Sequence, residues 1–152
     1  MSAVDDRLEA LGLTVPAAPA PVAVYVPAVR TGSYIYTSGQ LPLSAGELLA
    51  TGKVGDTVTA ETAYDCARQC ALNAIAAVKS LVDLDDVVQV VKATVFVAST
   101  TDFTGQPGVA NGASELFGAA FGDIGQHARS AVGVPVLPLD APVEVELVVE
   151  VR

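Results

Sequence analysis

Val143-Glu144-Val145-Glu146-Leu147-Val148-Val149-Glu150-Val151 alternates an unbroken apolar set with a mostly acidic one. Side chains along a strand point to opposite faces in turn. Val143, Val145, Leu147, Val149 and Val151 therefore share one face, and Glu144, Glu146, Val148 and Glu150 the other. The first set predicts a strand whose apolar face is covered by helices. The second reads as a solvated sheet surface, unless something covers it.

Two further stretches read as strands. Residues 87–98 are rich in β-branched side chains and predict a buried strand. Residues 129–134 predict another, joined to the last by a loop holding Pro135, Pro138 and Pro142. Upstream, Val22, Val24 and Val26 alternate with Ala23 and Tyr25, and residues 33–37 continue after a turn at Thr31-Gly32, so a pair of strands is expected there. Thr59 is placed to cap a long helix in which Ala67, Ala71, Ala74, Val78 and Leu81 recur at steps of four and three. A loop over residues 99–108 leads to a second helix bearing Val109, Ala113, Leu116, Phe117 and Ala120, with Gly118, Gly122 and Gly125 expected to end it. Residues 2–13 predict a short helix capped by Ser2, with Leu8 and Leu11 on one side. Pro16, Pro19 and Pro21 follow as an extended connector. The division expected is an N-terminal extension over 1–21 and one domain over 22–152. The order β-β-α-β-α-β-β, without strict strand–helix alternation, predicts an α+β fold with one mixed sheet and two helices on one face.

Composition narrows the function classes. The chain has 152 residues, 51% hydrophobic and 16% charged, with a net charge of −9. So few charges on a small domain suggest that apolar surface is buried against other subunits, although abundant alanine accounts for part of the excess. The acidic balance argues against a nucleic-acid partner, since binding to phosphates without regard to sequence depends on clustered Lys and Arg. No apolar stretch approaches a membrane span, and no basic leader with an apolar core opens the chain. Cys66 and Cys70 lie four apart in a helical segment with no second Cys pair and a distant lone His127, so buried thiols are expected rather than a metal site or a disulfide. A cytoplasmic protein without metal or organic cofactor fits this. No phosphate-binding glycine motif follows a strand.

Arg129 opens an apolar run, where an unpaired guanidinium is costly to bury. Its planar fork suits a carboxylate, although spacing alone favours an arginine at a strand end with its head in water.

Several short pieces, in order, resemble the RidA/YjgF family of reactive-intermediate deaminases, known in older usage as the L-PSP endoribonucleases. They are Tyr25, then Thr37-Ser38-Gly39-Gln40-Leu41-Pro42, then residues 91–97 leading to Asp102-Phe103. Asn111 and Glu115 follow, then Ala128-Arg129-Ser130 with Val132, Leu137-Pro138, and Val143-Glu144-Val145-Glu146. The resemblance implies a chorismate-mutase-like fold and a homotrimer with clefts between subunits, the acidic sheet face looking into the trimer. It implies that Arg129 grips the carboxylate of a 2-imino acid and that Glu144 positions the attacking water. Tyr25, Ser38, Gly39, Asn111 and Ala131 are the implied substrate-binding set, with 2-imino and 2-oxo acids as ligands and no cofactor. The same fold could instead hold small carboxylates without turnover, as a carrier or sensor. An endoribonuclease is disfavoured by the acidic balance and by the lack of paired histidines.

The chain departs from the family pattern at five places. Ala131 stands where cysteine is frequent, Ser114 where tyrosine is, and His127 where proline is. The segment 100–108 and the N-terminus are longer than in short members, which points to a longer branch of the family. A hydrogen-bonded structural histidine is the expectation for His127, which is left out of the catalytic pair.

Overall fold

The computed structural model describes residues 1–18, 20 and 24–152. Its main sheet has five strands: β1 (Ala28–Thr31), β2 (Tyr34–Thr37), β5 (Val87–Ala98), β6 (Ala128–Val134) and β7 (Val143–Val151). A small hairpin, β3 (Leu43–Ser44) and β4 (Glu47–Leu48), lies between β2 and the first long helix. The helices are α1 (Ala3–Ala10), α2 (Ala60–Lys79) and α3 (Gln106–Phe121). The order across the sheet is β1-β2-β7-β5-β6. Only the β5–β6 pairing is parallel, and α3 makes the crossover between those strands. This is the expected mixed sheet with α2 and α3 on one face.

Alternation decides which way β7 faces. Val143, Val145, Leu147, Val149 and Val151 are all buried beneath the helices, and Glu144, Glu146, Val148 and Glu150 look outward. Under α3, Ala93, Val95 and Val97 of β5 complete the covered face. α2 starts where Thr59 Oγ accepts the backbone N–H of Thr62 at 3.1 Å. Ala67, Ala71 and Ala74 on its buried side keep it close to the sheet. Gly112 does the same between the helices: a Cβ there would stand 2.1 Å from the Tyr64 carbonyl oxygen. Cys66 and Cys70 are buried, unpaired thiols in this layer, as expected.

Three details differ from expectation. Val24, Tyr25 and Val26 are exposed and belong to no strand, and Val22 and Ala23 lie outside the described residues. The first strand begins only after Pro27, whose ring has no N–H to give a ladder. α3 begins at Gln106, two residues before the expected loop ends, and runs through Gly118 to stop at Gly122. Burial of Leu116, Phe117, Ala120 and Phe121 carries the helix past Gly118, the first of the glycines expected to end it. Leu11 caps α1 and is exposed, so Leu8 does not share a buried face with it.

α1 is tied down at every turn. Ser2 Oγ accepts the Asp5 N–H at 3.0 Å, and an Asp5 carboxylate oxygen accepts the Ser2 N–H at 3.1 Å, which forms a capping box. Val4 and Leu8 enter the main core, and full burial of a leucine contributes about 1.5–3 kcal/mol. Lys79 at the end of α2 bonds Asp5 at 2.7 Å, the Asp85 carboxylate accepts the Ala3 N–H, and Arg7 reaches the Ala120 carbonyl at 3.2 Å. α1 thus braces the ends of both long helices.

The outer face of the sheet is bare in a single chain. Val29, Tyr34, Tyr36 and Val132 are exposed there beside Glu146. Among the described residues, no helix is long and apolar enough to cross a membrane.

Candidate functional site

Arg129 is paired with Ala93 in the β5–β6 ladder, and Ala93 is buried under the helices. Its side chain therefore rises on the helix side, where α3 receives it. Nη1 donates to Asn111 Oδ1 at 2.9 Å and to Ser114 Oγ at 3.2 Å, and Nη2 lies 3.4 Å from the Pro107 carbonyl oxygen. Asn111 and Ser114 are three apart on α3 and so share a face. Ala131, two residues beyond Arg129 on the same face, is half-buried against the core.

Just before β6, His127 Nδ1 lies 2.7 Å from the Gly125 carbonyl oxygen and Nε2 2.8 Å from Ser114 Oγ. The Phe117 ring meets the imidazole edge-on, centroids 5.6 Å apart. It is a hydrogen-bonded histidine at a loop–strand junction, as expected. Ser114, Gly118, Gly125, Gln126, His127 and Arg129 line an open cavity of about 340 Å³.

Glu144 is elsewhere. It pairs with Phe96, three residues along β5 from Ala93, so it projects from the opposite, outer face. Its carboxylate packs on Gly39. Burial pushes the Glu144 carboxyl above the usual range, and repulsion from Glu146 on the same face adds to this. A carboxylate held that way is a better proton acceptor than a solvated one.

The loop carrying Gly39 is held from two sides. Gln40 and Val145 exchange both backbone hydrogen bonds, at 2.8 and 3.0 Å. From α2, the buried Asn73 donates to the Leu41 and Leu43 carbonyls at 3.0 and 2.9 Å. Ser38 Oγ donates to the Val26 carbonyl at 2.6 Å, which draws the exposed Tyr25 segment against the loop.

The predicted residues thus fall into two groups. Ser38 and Gly39 gather at Glu144 with the Tyr25 segment beside them, whereas Asn111 and Ala131 accompany Arg129. The sheet separates the groups. Sequence reasoning did not find Asn73 and Gln40 as supports, although a lone Asn among the alanines of α2 was the available signal. Nor did it join Ser114 to His127, thirteen residues apart. Among the described residues no cluster of three or more His, Cys, Asp or Glu is arranged to hold a metal.

The family model for endoribonuclease L-PSP matches residues 15–151. The chain belongs to the RidA/YjgF family. Protein TCP17 of Trypanosoma cruzi is 45% identical over 96% of this chain and 92% of its own length. A Salmonella typhimurium relative named 2-iminobutanoate/2-iminopropanoate deaminase is 36% identical over 86% of this chain and 90% of its own. Among solved structures, Atu1372 of Agrobacterium tumefaciens, of unknown function, superimposes with a TM-score of 0.93 at 41% identity, covering 99% of this chain and 93% of that one. Escherichia coli TdcF with bound serine gives 0.64 at 29% identity, covering 89% and 93%. Within the RidA/YjgF family the chain is therefore nearer in shape to Atu1372 than to TdcF.

Proposed function

We propose that this protein hydrolyses 2-imino acids, and the enamines that tautomerise to them, to 2-oxo acids and ammonia, in clefts between the subunits of a homotrimer. The observation that carries this reading is the placement of Arg129 and Glu144 on opposite faces of one sheet. A cleft using both must draw them from two chains. The bare outer face, with its tyrosines and valines beside Glu146, is suited to such burial. The deaminase name of the Salmonella relative and the serine bound by TdcF agree with a small amino-acid-like ligand.

In this reading the Arg129 fork holds the substrate carboxylate by two parallel, charge-assisted hydrogen bonds. Glu144 of a neighbouring copy takes a proton from water as its oxygen bonds to the imine carbon. The proton passes to nitrogen to give a 2-amino-2-hydroxy acid, whose hydroxyl proton then moves to the amine as the C–N bond breaks, so that the carbonyl forms and ammonia leaves. One water is consumed and nothing is oxidised or reduced. Orientation and charge stabilisation suffice, because such imines already hydrolyse in water. Ser38, Gly39, Tyr25, Asn111 and Ala131 shape the cleft.

The test supplies 2-aminoacrylate from a pyridoxal-phosphate-dependent serine dehydratase and follows imine decay with and without the protein. Acceleration by wild type, lost in both Arg129→Ala and Arg129→Lys, is the expected result, since a point-charge ammonium does not reproduce the fork. Hydrogen bonds to charged groups contribute about 1.5–3 kcal/mol each, so the loss should be at least tenfold. Full activity in Arg129→Lys would refute the clamp. Binding of 2-oxo acids without turnover would make the protein a carrier or sensor instead.

A further inference from the structure

Two of the departures from the family pattern, Ser114 and His127, touch each other, and one of them touches Arg129. The direction of each bond follows from donor chemistry. A carbonyl oxygen only accepts, so the hydrogen between His127 and Gly125 sits on Nδ1. In the neutral ring Nε2 is then an acceptor, and the Ser114 hydroxyl must donate to it. That turns the lone pairs of Ser114 Oγ toward Arg129 Nη1. The result is a directed chain from Arg129 Nη1–H to Ser114 Oγ, from Ser114 O–H to His127 Nε2, and from His127 Nδ1–H to the Gly125 carbonyl. Each donor in such a chain polarises the next.

The guanidinium is left with a defined remainder. Asn111 and Ser114 use both hydrogens of Nη1, which closes the end-on edge between Nη1 and Nη2. Nε makes no hydrogen bond among the described residues, and Nη2 has only the long contact to Pro107. The side-on edge, Nε with Nη2, is the fork that stays open.

We propose that Ser114 and His127 work as one unit that positions Arg129, so that its Nε–Nη2 edge receives the substrate carboxylate. This rests on the imine-hydrolase reading for its ligand, but the tautomer that it requires does not. Neither residue touches the reacting atoms in this scheme. Both act through the arginine.

The experiment has two arms. His127 is the only histidine in the chain, so the imidazole resonances in 15N NMR belong to it without assignment. In the neutral ring they should report a hydrogen on Nδ1 and a bare Nε2, and the Nε2 signal should move in Ser114→Ala. A hydrogen on Nε2 would overturn the proposal whatever the activity. In the second arm, calorimetry measures 2-oxobutanoate affinity. Ser114→Ala and His127→Leu should each weaken it by about 3–10-fold, the size of one lost hydrogen bond. The double variant should be no worse than either, because the second change removes a link already broken. The loss should fall on KM for the imine rather than on kcat, and His127→Gln, which restores an acceptor near Nε2, should recover most of it. Additive losses or unchanged affinity would overturn the unit while leaving the function intact. A wild type that binds no 2-oxo acid would remove the function itself and, with it, the role assigned to the pair.

Discussion

A methyl group on Gly39 would stand 1.9 Å from Oε1 of Glu144 and 2.8 Å from its carboxyl carbon. The carboxylate occupies the space that the missing side chain leaves. Because Gln40 and Asn73 hold the loop from either side, the backbone has little freedom to retreat.

Gly39→Ala should therefore displace the Glu144 carboxylate rather than the loop. Imine hydrolysis should fall by at least tenfold, while the thermal midpoint changes little because the carboxylate can swing into solvent. Wild-type kcat/KM in this variant would show that Glu144 needs no fixed position.

If each cleft takes Arg129 and Glu144 from different chains, two inactive variants should rescue one another. Arg129→Ala and Glu144→Gln homo-oligomers, unfolded together and refolded as mixtures, should regain a fraction of wild-type activity, since some clefts then carry both native residues. Mixtures as inactive as their parents would place both residues of each site in one chain. Light scattering on the wild type should give about three times the 15.4 kDa chain mass.

The α1 brace has a pH signature. Lys79 holds the Asp5 carboxyl down to about 2 from 3.8, with Ser2 helping against the upward push of burial. A carboxyl lowered on folding stabilises the protein above its unfolded value, and that contribution is lost as pH falls from about 4 toward 2. Asp5→Asn should cost about 1–2 kcal/mol at pH 7, discounted because Lys79 is partly in water. The gap from wild type in urea titrations should narrow by pH 3. An equal gap at both pH values would show that the ion pair contributes nothing.

Serine at 114 and glycine at 118 leave the cavity beside Arg129 roomy, and a Cβ on Gly118 would meet nothing within 4 Å. Imines made by an amino-acid oxidase from larger or more polar amino acids should be turned over at least as well as the one derived from serine. Gly118→Leu should lower activity on the large imines by several-fold and spare the small, as methylene-sized changes in a pocket contribute about 1–3 kcal/mol. A wild type that strongly prefers the smallest imine would contradict the roomy pocket.

What could be read from the chain depended on how local the information was. The alternation in 143–151, the β-branched run in 87–98 and the cap at Thr59 all act through neighbouring residues, and each element formed where its pattern placed it. Alternation misled at residues 24–26, where valines share the pattern of a strand but pair with none of the described strands. Arg129 stood out as a guanidinium at the start of an apolar run, and Glu144 through the family resemblance alone. Their opposite faces did not, because that follows from registers between β5 and two different strands. The Ser114–His127 contact was equally hidden, since it forms only once α3 has crossed over to lie beside β6.

The thiols of α2 offer a clock for the opening of this fold. Burial pushes the Cys66 thiol up to about 11 and raises the Cys70 thiol, 3.6 Å from the Val143 carbonyl, well above its ordinary value. Neither can become a reactive thiolate while the helix lies on β7. A thiol reagent in excess would consequently report how often α2 lifts from the sheet, residue by residue and without an added probe. Any bound 2-oxo acid that slows this labelling would be clamping the scaffold from a distance.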